Sequence, residues 1–198
     1  MISNAVAREL RRAIEHNRYE ESAGGILFPD SGIHVGGLFE TALNDGGWEP
    51  GVNLLPTQGL NNCLNAFLGG SAFNPEDAWY FAPFATNTAP GLGLTAANFT
   101  ATQTEFTNYD ETTRALWTPA AAAAGVITNA ATAVSITVGS ATGSTNTSIY
   151  GLALLSASAK SATTGVLAAC ALLATARTGL QDGDILGLRY SITLTNAS

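Results

Sequence analysis

Between Ala115 and Gln181 the chain carries only two charged side chains, Lys160 and Arg177, yet it never gathers enough consecutive apolar residues to span a bilayer. Thr, Ser and Ala interleave the apolar positions with a period of two, as in AVSITV (133–138) and SIYGLALL (148–155). That period sends successive side chains to opposite faces of an extended strand. The segment is therefore committed to β-structure, and a β-surface this poor in charge is expected to be covered by something other than water.

The same alternation recurs along the chain. IHVGGLFETAL (33–43) reads as an early strand closed by the turn Asn44-Asp45-Gly46-Gly47. WYFAPF (79–84), TQTEFTNY (102–109), RALWTP (114–119), AVSITV, SIYGLALL, VLAACALLA (166–174) and DILGLRYSITLT (184–195) follow, separated by Gly, Ser, Thr, Pro and Asp. About seven short strands at this spacing point to an antiparallel sandwich or jelly roll. In the last strand Leu186, Leu188, Tyr190, Ile192 and Leu194 share one face, and Gly187, Arg189, Ser191 and Thr193 share the other. GSATGSTNTS (139–148) is expected to be a hairpin loop, and Ala120–Ala124, bracketed by Pro119 and Gly125, a loop despite its alanines.

Two helices are expected. Residues 3–18 place Ile2, Val6, Leu10, Ala13 and Ile14 on one face, with Ser3 or Asn4 as cap and Arg8, Arg11, Arg12 and Arg18 opposite. A second should run from about Thr57 to Leu68, with the apolar stripe Leu60, Leu64, Phe67, Leu68 and a stop at Gly69-Gly70. The expected fold is mainly β. It has a helical arm and linker over 1–30, and a sandwich or jelly-roll-like domain over 31–198 that includes the short helix near 57–68.

Charge narrows the function. Only 12% of the 198 residues are charged. From Tyr19 onward there are four basic and thirteen acidic residues, a net of −9 (4 − 13). Phosphate neutralisation needs clustered Lys and Arg, so a body this acidic is not expected to bind nucleic acid. The first residues are punctuated by charges and offer no apolar signal-peptide core, so synthesis in a cytoplasm and no membrane partner are expected.

No catalytic constellation is visible. His16 and His34 have no cysteine or carboxylate at metal-ligand spacing. There is no G-x-S-x-G elbow, and GLGLTA (91–96) lacks the strand–turn–helix setting of a dinucleotide fingerprint. Asp182-Gly183-Asp184 reads as a tight turn rather than a calcium loop, and the pairs Glu76-Asp77 and Asp110-Glu111 as turn carboxylates. Trp79, Tyr80, Phe81, Phe84, Phe99, Phe106, Tyr109 and Trp117 are expected in the core rather than along a sugar groove. Cys63 and Cys170 both fall on apolar faces and are expected as buried free thiols. Neither enzymatic activity nor a cofactor or metal is expected.

WYFAPFATNTAP, TEFTNYDETTRALWTP, IYGLALLSASAKSATTGVLAAC and ARTGLQDGDILGLRYSITLT follow one another in an order that resembles a group of small structural proteins of tailed bacteriophages. NLLPTQGLNNCLNAFLGG is similar to the helix that precedes that group's sandwich. The likeness covers roughly residues 50–195 and is a pattern of turns and strands, not a catalytic signature. It implies a virion component: a capsid decoration (cement) protein with a jelly-roll or immunoglobulin-like body, bound to the major capsid protein or other virion proteins and to copies of itself. The alternative is a tail or fibre component, including a receptor- or glycan-binding module presenting Trp48, Trp79 or Tyr150. Arg8, Arg11, Arg12 and Arg18 lie outside the resemblance. Their clustering makes them candidate partner-binding residues of an arm that docks on a neighbouring subunit. Uncharged Thr/Ser/Ala faces desolvate cheaply, and exposed strand edges are expected to offer pairing sites to such an arm.

Overall fold

The computed structural model describes residues 20–22, 25–27, 33–68, 78–140 and 147–196. The expected helix over 3–18, with Arg8, Arg11, Arg12 and Arg18, lies outside them. Within the expected linker the chain forms a hairpin instead, β1 (Glu20–Ser22) against β2 (Gly25–Leu27), in antiparallel register from Glu20↔Leu27 to Ser22↔Gly25. Gly36–Thr193 forms a separate compact unit.

That unit is built on two antiparallel sheets packed face to face. The first has the order β4 (Glu49–Val52), β3 (Ile33–Leu43), β11 (Ile185–Asn196), β7 (Val126–Thr128), with β8 (Val134–Thr137) also pairing β11. The second has the order β10 (Leu167–Arg177), β9 (Ile149–Leu155), β5 (Trp79–Phe84), β6 (Ala115–Trp117). Phe39, Leu186, Leu188 and Tyr190 from the first sheet meet Phe81, Leu152, Leu154 and Ala171 from the second in one apolar core. Phe39 stacks on Tyr190 at 4.2 Å between ring centroids. Each fully buried Phe or Leu contributes about 1.5–3 kcal/mol, so this layer is the main source of stability. In β11 Leu186, Leu188 and Tyr190 are buried while Gly187 and Arg189 lie on the less buried face, following the expected alternation.

The second sheet is covered on its other side as well. Ala82, Phe84, Ala153, Leu155, Leu167 and Cys170 form a second core with Leu94, Ala96 and Phe99. The last two come from a helix, α2 (Ala96–Gln103), which was not expected and which takes in the first two residues of the strand expected over 102–109. Thr95 begins it, and Asn98 reaches back so that its Oδ1 accepts from the Thr95 N–H at 2.7 Å. Thr104, in the left-handed region at φ 54°, ends it. Beyond it only isolated bridges remain, Phe84↔Glu105 and Tyr109↔Val138. Gly151 belongs to this side because a Cβ there would lie 2.0 Å from the Phe84 ring. β9 is therefore buried on both faces, which accounts inside the chain for much of the charge poverty of 148–155.

The lateral edges are closed by chain crossings. After β4 the backbone passes to the second sheet, where Leu54 and Cys170 exchange hydrogen bonds of 2.9 and 3.0 Å. After β6 it passes the other way: the Ala120 N–H donates to Thr128 O at 3.0 Å, and Thr132 Oγ1 donates to Thr118 O at 2.6 Å. These crossings engage the edge of β10 at Cys170 and the edge of β7 at Thr128. β8 and β9 lie in different sheets, so 139–148 joins the sheets rather than closing a hairpin.

Candidate docking surface

The surface with the least ordinary chemistry is the helical layer over the second sheet. From Pro50 to Leu68 and from Ala78 to Thr104 no residue is charged. The first stretch ends in α1 (Thr57–Leu68), whose boundaries agree with the expected helix. Gly59 decides which way it faces. A Cβ at Gly59 would lie 2.2 Å from Ala168 O, so the helix backbone rests directly on β10 through Gly59. Pro56 is buried beside it.

Gln58 fixes the helix to its neighbours, its Oε1 accepting from the Ala96 N–H at 2.9 Å and the Leu167 N–H at 3.0 Å. The Thr57 N–H donates to Leu92 O at 3.0 Å, so the 90–95 loop sits against the same end. With Gly59 inward, Leu60 and Leu64 of the expected stripe turn outward. Leu60 is 37% exposed, Leu64 58% and Leu92 59%. Cys63, one turn after Gly59, is exposed, though partial burial raises its thiol pKa, whereas Cys170 is buried, which corrects the expectation of two buried thiols. A groove of about 300 Å³ borders this layer, lined by Asn53, Leu54, Ala89, Pro90, Leu172 and Ala174 among others. Asn53 donates to Tyr190 Oη at 3.0 Å, while its own Oδ1 has no partner.

The positive charges of the body are engaged internally. Arg114 and Glu105 form a fully buried pair, with Nη2–Oε2 at 2.7 Å and Nε–Oε1 at 2.8 Å. Arg114 also donates to the carbonyls of Ala157 (2.8 Å) and Ala162 (3.3 Å), and Glu105 Oε2 accepts from the Ser161 N–H at 2.9 Å. Arg177 spans the two sheets, donating to Thr41 O at 2.8 Å and pairing with Glu49 at 3.2 Å. Lys160 donates to Tyr109 O at 2.6 Å and lies 3.6 Å from the centre of the Tyr109 ring. Partial burial lowers its pKa, and the nearby carboxylates, led by Glu111, oppose that shift. Arg189 stacks on Trp48 at 3.6 Å. These four are all the basic residues after Arg18. Asp45, Asp110 and Asp182 meanwhile stay exposed.

The rest of the expected chemistry resolves as structure. Asp182-Gly183-Asp184 is a tight turn, with Gly183 at φ 86° and Asp184 Oδ2 accepting from the Gln181 N–H at 2.8 Å. Phe81, Phe84, Phe99, Phe106, Tyr109 and Trp117 are buried, and Trp79 and Tyr80 half-buried. Trp48 lines an open groove of about 330 Å³ with Asp45 and Ser135, but one face of its ring is taken by Arg189. Glu111 is occupied by the Thr137 N–H at 3.0 Å. Among the described residues no group of His, Cys, Asp and Glu is arranged to hold a metal, and no helix is long and apolar enough to cross a membrane. Glu76-Asp77, His16 and the His34 side chain lie outside the described residues. The chain matches no family model and no curated protein.

Proposed function

We infer that this protein is a structural subunit whose work is to be bound: a bacteriophage virion protein that decorates and stabilises the capsid between capsomers. In this reading its partners are the major capsid protein, other virion proteins and copies of itself. The observation that carries it is the uncharged helical layer with three exposed leucines on a rigid sandwich, since charge depletion with apolar anchors is the composition of interface cores. The engagement of all four body cations supports it too. In this reading Arg8, Arg11, Arg12 and Arg18 of the N-terminal segment are the partner-binding residues, on a helical arm that docks outside its own body. The jelly-roll likeness and the virion location belong to this proposal. A contact of about 1,000 Å² or more, repeated by symmetry, adds several kcal/mol against rupture of a shell.

Quantitative mass spectrometry of purified particles tests the role. Decoration requires copy numbers comparable to those of the major capsid protein; a handful of copies, or none, would sink it. Labelling confined to one vertex would instead favour a tail or fibre component, for which the half-exposed Trp48 groove is the one supporting feature.

A further inference from the structure

We propose that the groove beside Trp48 is a binding site for a neutral sugar, in which a pyranose ring packs against the indole while its hydroxyls meet Asp45 and Ser135. The groove lies on the outer face of the first sheet, not on the helical layer. The inference goes beyond the assembly reading and does not depend on it.

Small residues make the floor. Ala42 of β3 and Gly187 of β11 are neighbours there, and Ser135 of β8 is paired across from Gly187. A Cβ at Gly187 would stand 3.0 Å from Trp48 Cη2, so the glycine lets the indole settle close over the sheet. Arg189, two residues further along β11, stacks on the ring at 3.6 Å and fixes its tilt. The turn that precedes Trp48 is fastened to the start of β11. The Asn44 N–H donates to Ile185 O at 2.9 Å, the Ile185 N–H to Asn44 Oδ1 at 2.8 Å, and Asn44 Nδ2 to Asp184 Oδ1 at 2.7 Å. A site held this firmly before its ligand arrives loses little freedom on binding.

Shape and charge select the ligand. A volume of about 330 Å³ is at the small end of ligand sites, suited to a sugar ring. The indole offers an apolar flat surface to the C–H face of a pyranose, and a carboxylate and a hydroxyl serve its hydroxyl groups. Asp184 and Glu111, close by, already accept from backbone N–H groups. Among the described residues nothing engages the Asp45 carboxylate or the Ser135 hydroxyl, and both are exposed. Asp45 carries the one charge in the lining, with Asp182 and Asp184 following at the start of β11. A phosphate or uronate would therefore meet carboxylates, whereas a neutral sugar meets hydrogen-bond partners. A cation finds one face of the ring already taken by Arg189.

The test titrates the intact chain with methyl glucoside, methyl galactoside and methyl mannoside in turn, each to about 100 mM, and with glucuronate as the charged control. Nitrogen-correlated NMR spectra follow the Trp48 indole and the backbone N–H groups of Ser135 and Gly187. The expected result is a saturable shift with at least one glycoside at a dissociation constant on the order of 1 mM, and glucuronate bound roughly 5-fold more weakly or worse. Trp48→Ala abolishes saturation at Ser135 and Gly187. Asp45→Asn keeps a residue type that tolerates the left-handed turn at φ 61°, weakens the glycoside roughly 3-fold or more, and narrows its lead over glucuronate. If Trp48→Ala fails to fold, Asp45→Asn decides alone. Shifts that rise linearly with every glycoside, glucuronate bound as tightly as the glycosides, or an affinity that a folded variant leaves unchanged overturns the site. Particle binding separates this from the wider reading. A chain that coats particles but binds no sugar overturns only the site, whereas one that binds sugar and never appears on particles overturns only the decoration.

Discussion

Arg114 shows how this chain uses the few charges it has. Its partner Glu105 is nine residues away, and both side chains are fully buried. The pair ties the 105–114 segment to the 157–162 loop through carbonyls and the Ser161 N–H. Nothing in TEFTNYDETTR announces this, because burial of a charge depends on a segment remote in sequence. Removing one partner leaves an uncompensated buried charge, so Arg114→Met is predicted to cost about 3–5 kcal/mol in urea unfolding. The double change Arg114→Met with Glu105→Gln should cost less. Asn129 plays a similar part with no charge. Its carboxamide accepts from the Tyr190 N–H at 2.8 Å and donates to Leu188 O at 3.3 Å, filling the gap between β7 and β8 along β11. Alkaline pH should expose the same economy. Burial raises the Cys170 thiol above its ordinary 9.0, and raises the Tyr190 phenol, and with help from Glu105 the Tyr109 phenol, above their ordinary 10.0. These acids keep their protons when folded and lose them when unfolded. Their contribution is therefore full below pH 9 and declines as pH rises from there. Lys160, lowered by partial burial, acts in the opposite sense, but is one partly exposed group against three buried ones. A melting temperature that falls above pH 9 is the expected result, and the share of phenolate absorbance lost in Tyr109→Phe and Tyr190→Phe should appear only on unfolding; titration of that share in the native chain would contradict it.

At the level of elements, β11 and α1 were well located because each has an unbroken apolar spacing, closed by Asp184 before β11 and by Gly69-Gly70 after α1, and β3 and β5 were found as apolar runs despite Gly36-Gly37 and Pro83 within them. Periodicity missed α2. AANFTATQ is rich in Thr, which favours strands, and the helix is held by Asn98 and by Phe99 wedged edge-on against Phe84 at 6.1 Å, a tertiary contact. The face of α1 was also illegible. An apolar stripe ordinarily marks the core side, but the deciding residue is Gly59, whose missing side chain lets the backbone touch β10. Gly59→Val should therefore lift α1 and cost about 1–3 kcal/mol. Denaturation of parent and variant side by side measures the difference. A variant as stable as the parent would mean that α1 does not rest on β10.

For the whole molecule, charge depletion has two distinct sources. Within 115–181, β9 and the inner side of β10 are uncharged because both faces of the second sheet are covered by the chain itself. Outside that stretch, α1 and the 85–104 segment are uncharged too, and their exposed leucines, Leu60, Leu64 and Leu92, are what the proposed assembly would cover. The N-terminal segment supplies the complementary prediction. Deleting residues 1–18 should leave the Gly36–Thr193 unit folded and weaken particle binding, and replacing Arg8, Arg11 and Arg12 with Ala should weaken it more at low salt than near 0.15 M, where screening is already strong. Unfolding of the truncated chain would place that segment in the core. The most direct measurement is a reconstruction of the assembled particle. The account predicts density for this chain at many symmetry-related positions on the shell, with α1 and Leu64 covered by a neighbouring subunit. Copies confined to a single vertex, or a lattice that leaves Leu60, Leu64 and Leu92 facing solvent, would contradict it.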